Sequence, residues 1–497
     1  MRMYQGAQNG RLLSSWVSDG SSADAEIKGS ISRLRNRARQ LVRDNSYAAQ
    51  ACRVIRHNIV GTGVRLQAQV MQQRGNRLNH RINDQIEREW RKWCRKDSAD
   101  VAGRLCFADI ERLVVNSLCV DGEVFIQLVR KPFGRSRVPF SLRVLEADMV
   151  DEDYQGKGAN PRQEWRMGVL LDEFERPLKY AFHREHPGNA GFGVHRPGKD
   201  HMILDAADVI HVYGPTTRPG MTRGVSWFAP VVKTMHHLDG YCEAELVRQR
   251  AGSAIMAWIQ SPEGELFGDG VYDDQRVMSL QPGSVQYLAP GESVEVPQMG
   301  ASDSGFQPFV NAMLRNMASG LGVSFENLSQ DWSMSNYSSS RLSLMNERDN
   351  WKVLQYFLQE NFYQPVFDAW LEMAQLAELL ELPTYATEPE RYQNVRWMCR
   401  GWQFVDPQKE VAAYKEAVSC GFKTQADVIA EQGGDIEDLY KARAYEMELA
   451  EEYGLKFATD AEVAAPTVDE DPQQLEAPDE PEESDGGDPE ENGTEGD

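Results

Sequence analysis

The chain's 497 residues are 41% hydrophobic and 26% charged, an ordinary soluble composition and enough length for two to four domains with a real core. The formal net charge of −23 is unevenly spread: residues 460–497 hold 16 Asp/Glu and no Lys/Arg, while residues 28–104 hold 18 Lys/Arg against 6 Asp/Glu. No apolar run approaches a membrane span, MRMYQGAQNGRLLSSW has no apolar leader core, and the seven cysteines are scattered without a C-x-x-C pair, which excludes an integral membrane protein, makes export unexpected and predicts free thiols in a reducing cytoplasm.

In chain order, residues 24–60 read as a helix ending at Gly61-Thr62-Gly63, where glycines permit a reversal. VRLQAQV (64–70) alternates like a half-buried strand, and Leu78, Ile82, Ile86, Trp90 and Trp93 share one face of the next helix. FADIERLVVNSLCV is a further helix, closed by Asp121-Gly122 before the strand EVFIQLVR. Residues 141–213 read as a strand-rich patch without the βαβ alternation of a doubly wound sheet. From Gly224 a helix of roughly thirty residues is expected, about 45 Å long, with Pro230 near its first turn. A compact insert follows at 259–304, where SVQYL and SVEVP flank an Ala-Pro-Gly-Glu turn. A returning helix at 306–321 places Phe306, Phe309, Val310, Met313, Leu314, Met317 and Leu321 on one side and stops at Gly322.

The segment DWSMSNYSSS (331–340) carries no charge after Asp331 until Arg341. It precedes a long helix, from about Ser339 to Leu380, that Pro365 should kink or divide. Trp332, Met334 and Tyr337 punctuate it with bulk that a plain Gly/Ser linker avoids. Residues 406–453 read as three short helices: Asp406-Pro407 starts one, Gly421 stops it, Thr424-x-x-Asp427 opens the next, and Gly433-Gly434-Asp435 separates the third. The tail beyond 459, rich in Pro, Glu, Asp and Gly, cannot bury enough apolar surface to fold alone. The fold class expected is therefore α+β, mainly helical.

Catalytic signatures are missing. There is no P-loop, G-x-S-x-G, H-E-x-x-H, EF-hand loop or G-x-G-x-x-G. His183, His186, His195, His201, His211, His236 and His237 lie close in sequence, but no pair has the i, i+4 helical spacing that a zinc site would favour, so they read as surface or structural. Asp151-Glu152-Asp153 and Asp172-Glu173 read as solvated turns rather than a catalytic dyad. No catalytic residue, metal ligand or cofactor is expected. The arginines of ISRLRNRARQLVR either contact nucleic-acid phosphates or form a solvated face that pairs with acids on a neighbouring subunit.

Several runs together resemble lambda-type tailed-phage portal proteins. They are PGESVEVPQMGASDSGFQPFVNAMLRNMASGLGVSFENLSQDWSMSNYSSSRLSLMNER, DVIHVYGPTTRPGMTRGVSWFAPVV, FVDPQKEVAAYKEAVSCGFKTQADVIAEQGGDIEDLY and, near the N-terminus, ARQLVRDNSYAAQACRVIRHNIVGTGVRLQA. The likeness runs over about residues 5–455, with Asn336-Tyr337-Ser338-Ser339 and Arg341 its most specific piece. Met221 departs from it, standing where the pattern would have Gln.

The resemblance implies a ring of about twelve identical chains at one capsid vertex, part of the virion and assembled in the host cytoplasm. It implies an N-terminal arm (1–27), a wing (28–223), a first stem helix (224–256), a clip (257–304), a second stem helix (305–328), a tunnel loop (329–340), a long wing helix and return (341–405), a crown (406–458) and an acidic tail (459–497). Gln330, Asp331, Trp332, Ser333, Met334, Ser335, Asn336, Tyr337, Ser338, Ser339 and Arg341 would face double-stranded DNA in the channel. Asp269, Asp273, Asp274, Glu292 and Glu295 of the clip would present acid to the terminase large subunit and then to a head–tail adaptor. The major capsid protein or a scaffold would be a further partner, and no membrane is involved. Two rivals remain open at this stage: a histidine-metal hydrolase built on 183–237, and a non-channel scaffold or adaptor protein.

Overall fold

The computed structural model describes residues 20–73, 77–191, 201–214, 218–254, 258–260, 293–295, 303–333, 337–402 and 407–455. Residues through Ile436 form one compact unit and those from Glu437 a second. The N-terminal helical stretch is three helices rather than one: α1 (Ala23–Lys28), α2 (Ile31–Asp44) and α3 (Ser46–Ile59). Asn45 makes the second break. Its backbone is extended and its side chain accepts from the N–H groups of Tyr47 and Ala48, so α2 ends where α3 is capped. Hydrophobic periodicity runs through such a junction, which is why the sequence reads as continuous.

β1 (Arg65–Ala68), α4 (His80–Trp93) and α5 (Phe107–Asp121) follow as expected, and Ile82, Ile86, Trp90 and Trp93 are all buried. Eight strands come next: β2 (Glu123–Val129), β3 (Ser141–Leu145), β4 (Gly156–Lys157), β5 (Glu164–Arg166), β6 (Val169–Leu171), β7 (Pro177–His183), β8 (His201–Asp205) and β9 (Val209–Tyr213). They make two antiparallel sheets, ordered β3-β2-β9 and β4-β5-β6-β7-β8. Phe125, Leu145, Val150, Val169, Tyr180 and Phe182 fill a small core of their own. The strand-rich patch and the lack of a parallel βαβ sheet both hold among the described residues.

α6 (Val232–Ala254) starts eight residues later than Gly224. The Trp227 N–H donates to the Cys119 carbonyl and the Arg223–Gly224 segment is bonded to Glu123, so this backbone is committed elsewhere before it can coil. β10 (Trp258–Gln260) pairs antiparallel with β11 (Ser293–Glu295). SVEVP thus forms a ribbon with a strand near the end of α6; SVQYL, its expected partner, lies outside the described residues. α7 (Asp303–Leu321) then returns, and α8 (Phe325–Ser329) is a separate turn of helix.

α9 (Tyr337–Leu358) leads into a π-helical turn, Gln359–Tyr363, before α10 (Gln364–Leu376). Pro365, which lacks an N–H and would clash with the preceding turn of a regular helix, sits just inside α10 behind this wider turn. The shift buries both Phe362 and Tyr363. They join Trp90, Trp93, Phe107, Phe367, Trp370 and Trp397 in an aromatic cluster, in which Trp90 meets Trp370 edge-on at 5.0 Å between centroids. α11 (Glu390–Gln393) precedes β12 (Val395–Met398), which closes back on β1. α12 (Pro407–Ser419) and α13 (Gln425–Glu431) complete the first unit, with Thr424 and Asp427 forming the predicted capping box. α14 (Ile436–Glu452) is the helix of the second unit.

Candidate functional site

The uncharged segment is more ordered at its start than its composition suggests. Gln330 takes a left-handed conformation (φ 59°) that ends α8, and its amide nitrogen donates to the Asn327 carbonyl. The Ser329 hydroxyl donates to the Phe325 carbonyl and accepts from the Asp331 N–H. Asp331 in turn accepts from both the N–H and the hydroxyl of Ser333, and these bonds hold its carboxyl below the usual range. Small hydroxyls here close a turn on themselves. Trp332 projects at 47% exposure, bulk presented to solvent.

The helix beyond begins sooner than expected. Tyr337, Ser338 and Ser339 form the first turn of α9 rather than loop, and Arg341 lies on the same helix, 3.9 Å from Glu410 of α12. Met334, Ser335 and Asn336 lie outside the described residues. Of the loop expected at 329–340, Ser329 belongs to α8 and residues 337–340 to α9, and only residues 330–333 of the remainder are described. Its base is tied down by Glu347, a buried carboxylate on α9 that accepts from the Ser324 N–H and the Asn327 side-chain amide. Burial raises the Glu347 carboxyl, and the bonds from Ser324 and Asn327 only partly offset that. The Asn327 carbonyl also receives the Gln50 amide of α3.

A second construction fixes the entry to α6. Glu123 is fully buried and is gripped by Arg223, with contacts of 2.6–3.0 Å, while Arg35, His211 and the Gly224 N–H bond the same carboxylate. Burial alone would raise this carboxyl, but the Arg223 charge and the bonds from His211 and Arg223 hold it well below the ordinary value. Arg223 also donates to the Met167 and Ala147 carbonyls. Two glycines allow the approach: a Cβ on Gly224 would lie 2.2 Å from the Gly122 carbonyl oxygen, and Gly122 itself has φ +89°. The Arg-Gly pair in RPGMTRG is thus the lock that carries the chain from the sheets into α6.

This lock also answers the question of the basic face. Arg35 pairs with Glu123 and Asp148, Arg39 with Asp121, Asp148 and Glu146, and Arg43 with Asp44. Three of its arginines are used inside the chain, which neither a phosphate-binding nor a neighbour-pairing face anticipates. Among the histidines, His211 is buried against Glu123, a structural role. Asp172 makes the expected turn, accepting from the Phe174 and Arg176 N–H groups. Asp151 is not simply solvated: its carboxylate lies 2.7 Å from His201 Nε2. Two groups could hold a metal ion by position, Asp151 with His183 and His201, and Glu146 with Asp148 and His186. Of the clip acids, Asp269, Asp273, Asp274 and Glu292 lie outside the described residues, and Glu295 ends β11.

The sequence model of the family described as phage portal protein, lambda family, matches residues 9–355. The chain belongs to that lambda portal family. Curated relatives include a probable portal protein of Halomonas phage phiHAP-1, 28% identical over 88% of this chain and 85% of the relative. Portal protein B of Escherichia phage lambda is 24% identical, over 91% and 90% respectively, and the portal protein of Escherichia phage N15 is 24% identical over 88% of each. Similar solved structures include the neck of a native GTA particle computed with C12 symmetry, at 13% identity, 80% and 93% coverage and a TM-score of 0.42. The neck of an empty GTA particle computed with C6 symmetry gives 12% identity, 86% and 98% coverage and a TM-score of 0.41. No helix among the described residues is long and apolar enough to cross a membrane.

The portal resemblance pointed to the segment around Asn336 and Arg341, and the structure brings its two flanks, α8 and α9, together through Glu347. Its runs include Arg223 and Glu347 but gave no role to them or to Glu123. Nothing in the local sequence marks any of them as buried, and only the run Arg-Gly after a Pro-Gly turn hints at a tight approach.

Proposed function

We propose that this chain is the subunit of a closed ring of about twelve copies that conducts double-stranded DNA into and out of a capsid at a single vertex. Membership of the lambda portal family over residues 9–355 is the observation that carries this reading. The order of elements supports it: α6, the β10–β11 ribbon and the returning α7 fit a two-helix stem with a clip at 257–304, and α9 with α10 fits the long wing helix. Residues 28–223 would be the wing and 406–458 the crown. The terminase large subunit would dock on the clip during packaging and a head–tail adaptor would replace it, with the capsid protein or scaffold against the wing. The sequence has no P-loop, so the energy of translocation would come from the terminase.

Residues 330–336 and the first turn of α9 would touch the moving duplex. A ring of lysines there would neutralise phosphates and bind tightly and salt-dependently. Serine and asparagine offer short-lived, sequence-independent phosphate contacts instead, and Trp332, Met334 and Tyr337 add bulk that narrows the bore. The first test is the native mass of the purified chain with class-averaged electron micrographs. Closed rings near 670 kDa, about twelve times the 56.2 kDa chain, are expected; a monomer or dimer overturns the ring. The second is Ser335→Lys in a packaging assay. Retarded translocation that recovers with added salt is expected, whereas normal filling of heads would refute the low-friction contact.

A further inference from the structure

We infer that Asp151, His183 and His201 form a zinc-binding site that staples the loop end of the β7–β8 hairpin to the turn after Val150. The inference goes beyond the portal reading and does not rest on it.

The geometry starts from strand register. His183 and His201 are directly opposed partners at the ends of β7 and β8, and opposed residues of an antiparallel pair send their side chains to the same face. Their ring centroids stand 5.4 Å apart. An opposed strand pair thus supplies what i, i+4 spacing supplies on a helix, from residues 18 apart in the sequence.

The third donor arrives by a separate route. Val150 bridges to Phe182 and the Asp151 N–H donates to the Ala181 carbonyl, which holds Asp151 beside the hairpin end. Its carboxylate is oriented by the Asp153 N–H, 2.9 Å from Oδ1. His201 Nε2 is 2.7 Å from Oδ2 and His183 Nε2 is 3.9 Å from Oδ1. Both imidazoles therefore turn the same nitrogen towards one carboxylate, and the donor atoms all lie within 4.8 Å of one another. Zinc–ligand bonds of about 2.0–2.2 Å require donors roughly 3.3 Å apart around a tetrahedron, a closure that small side-chain rotations supply.

The surroundings favour a ligand set over a chance contact. The Tyr154 ring packs edge-on against His201 at 4.8 Å and against Trp165 at 4.8 Å, restraining the imidazole. The side chains of Asp151, His183 and His201 are 20%, 21% and 13% exposed, open enough to admit an ion and covered enough to hold one. Two imidazoles with one carboxylate suit a borderline divalent ion such as zinc rather than magnesium or calcium, which take oxygen ligands. The neighbouring group of Glu146, Asp148 and His186 is a poorer candidate. Asp148 is already neutralised by Arg35 and Arg39 at 2.8 and 2.5 Å, and a dication there would face two guanidinium groups.

The test uses the untagged full chain, stripped with chelator and titrated with zinc sulfate alone, with bound metal measured by plasma mass spectrometry. About one ion per chain is expected, and Co2+ in its place should give the intense visible bands of a low-symmetry, tetrahedral-type site. His201→Ala, His183→Ala and Asp151→Asn should each weaken binding at least tenfold with far-UV dichroism unchanged, while His57→Ala leaves binding intact. Zinc should also raise the melting temperature of the parent chain and not that of the three variants. No stoichiometric zinc in the parent chain, or equal zinc in the three variants, overturns the site and leaves Asp151–His201 a plain hydrogen bond. Native mass is scored separately, so rings without zinc would refute this inference alone.

Discussion

Glu111, in the first half of α5, and Glu123, at the start of β2, are both buried, yet their carboxyls are shifted in opposite directions. Glu123 keeps its charge because two guanidinium groups, an imidazole and an N–H surround it. Glu111 has only the Val64 N–H on one oxygen, and its other oxygen has no partner among the described residues. Burial therefore pushes its carboxyl from 4.5 up to about 8, with the Val64 bond and the Arg112 charge opposing weakly. The folded state thus binds this proton more tightly than the unfolded chain. Its contribution is full below about pH 4.5 and is lost as pH rises through 8, at up to about 1.4 kcal/mol per pH unit. Glu111→Gln keeps an acceptor for Val64 and removes the titration. The variant should gain stability relative to the parent between pH 5 and 8, read as a widening difference in melting temperature. Parallel curves over that range would mean that Glu111 ionises freely in the fold. At Glu123 the logic reverses: Glu123→Gln strands Arg223 and Arg35 in the interior, and a loss of roughly 3–5 kcal/mol is expected in chemical denaturation. A cost under 1 kcal/mol would show that the guanidinium groups find other partners.

Between elements, the tightest joint is where α5 ends, β2 begins and the chain turns towards α6. Gly224 approaches Gly122 so closely that a methyl group would meet the Gly122 carbonyl oxygen at 2.2 Å, its carbon at 2.8 Å and the Glu123 Cβ at 2.9 Å. Nothing flexible can give way there, so Gly224→Ala should cost about 1–3 kcal/mol by forcing the strand and the turn apart. A melting temperature within a degree of the parent would show that the joint opens freely. Local signals made most of the elements legible: the capping box at Thr424, the apolar face from Ile82 to Trp93, the glycine stop at Gly322. What escaped was the chemistry of junctions. Asn45 divides a continuous periodic run because one side chain bonds two N–H groups. The π-helical turn before Pro365 arises because packing wants Phe362 and Tyr363 both inside, a demand set by Phe107 on α5 and Trp397 on β12.

At the scale of the whole molecule, the function was readable from a family resemblance over about residues 5–455, most specific at 336–341, while the bonds that hold that last segment were not. Asn327 and Glu347 are 20 residues apart, Arg35 and Glu123 are 88, and neither separation follows a helical or strand period. Pairings of this kind are decided by tertiary packing, which composition and spacing do not encode. The charge distribution, by contrast, is wholly legible and leads to the last prediction. Removing residues 460–497 deletes 16 acids and no bases, taking the formal charge from −23 to −7. In the proposed ring of about twelve copies, the parent assembly would carry a large negative field that repels duplex DNA from any surface within a Debye length, about 10 Å at 0.1 M salt. The truncated chain should assemble to the same native mass, since the tail has too little apolar surface to pack into an interface. Its non-specific affinity for linear duplex DNA should rise several-fold in 50 mM salt, and the difference should vanish by about 0.5 M as screening removes the repulsion. Equal affinity at low salt would show that the acidic tail does not guard the ring against DNA, and failure to assemble would make the tail part of the interface itself.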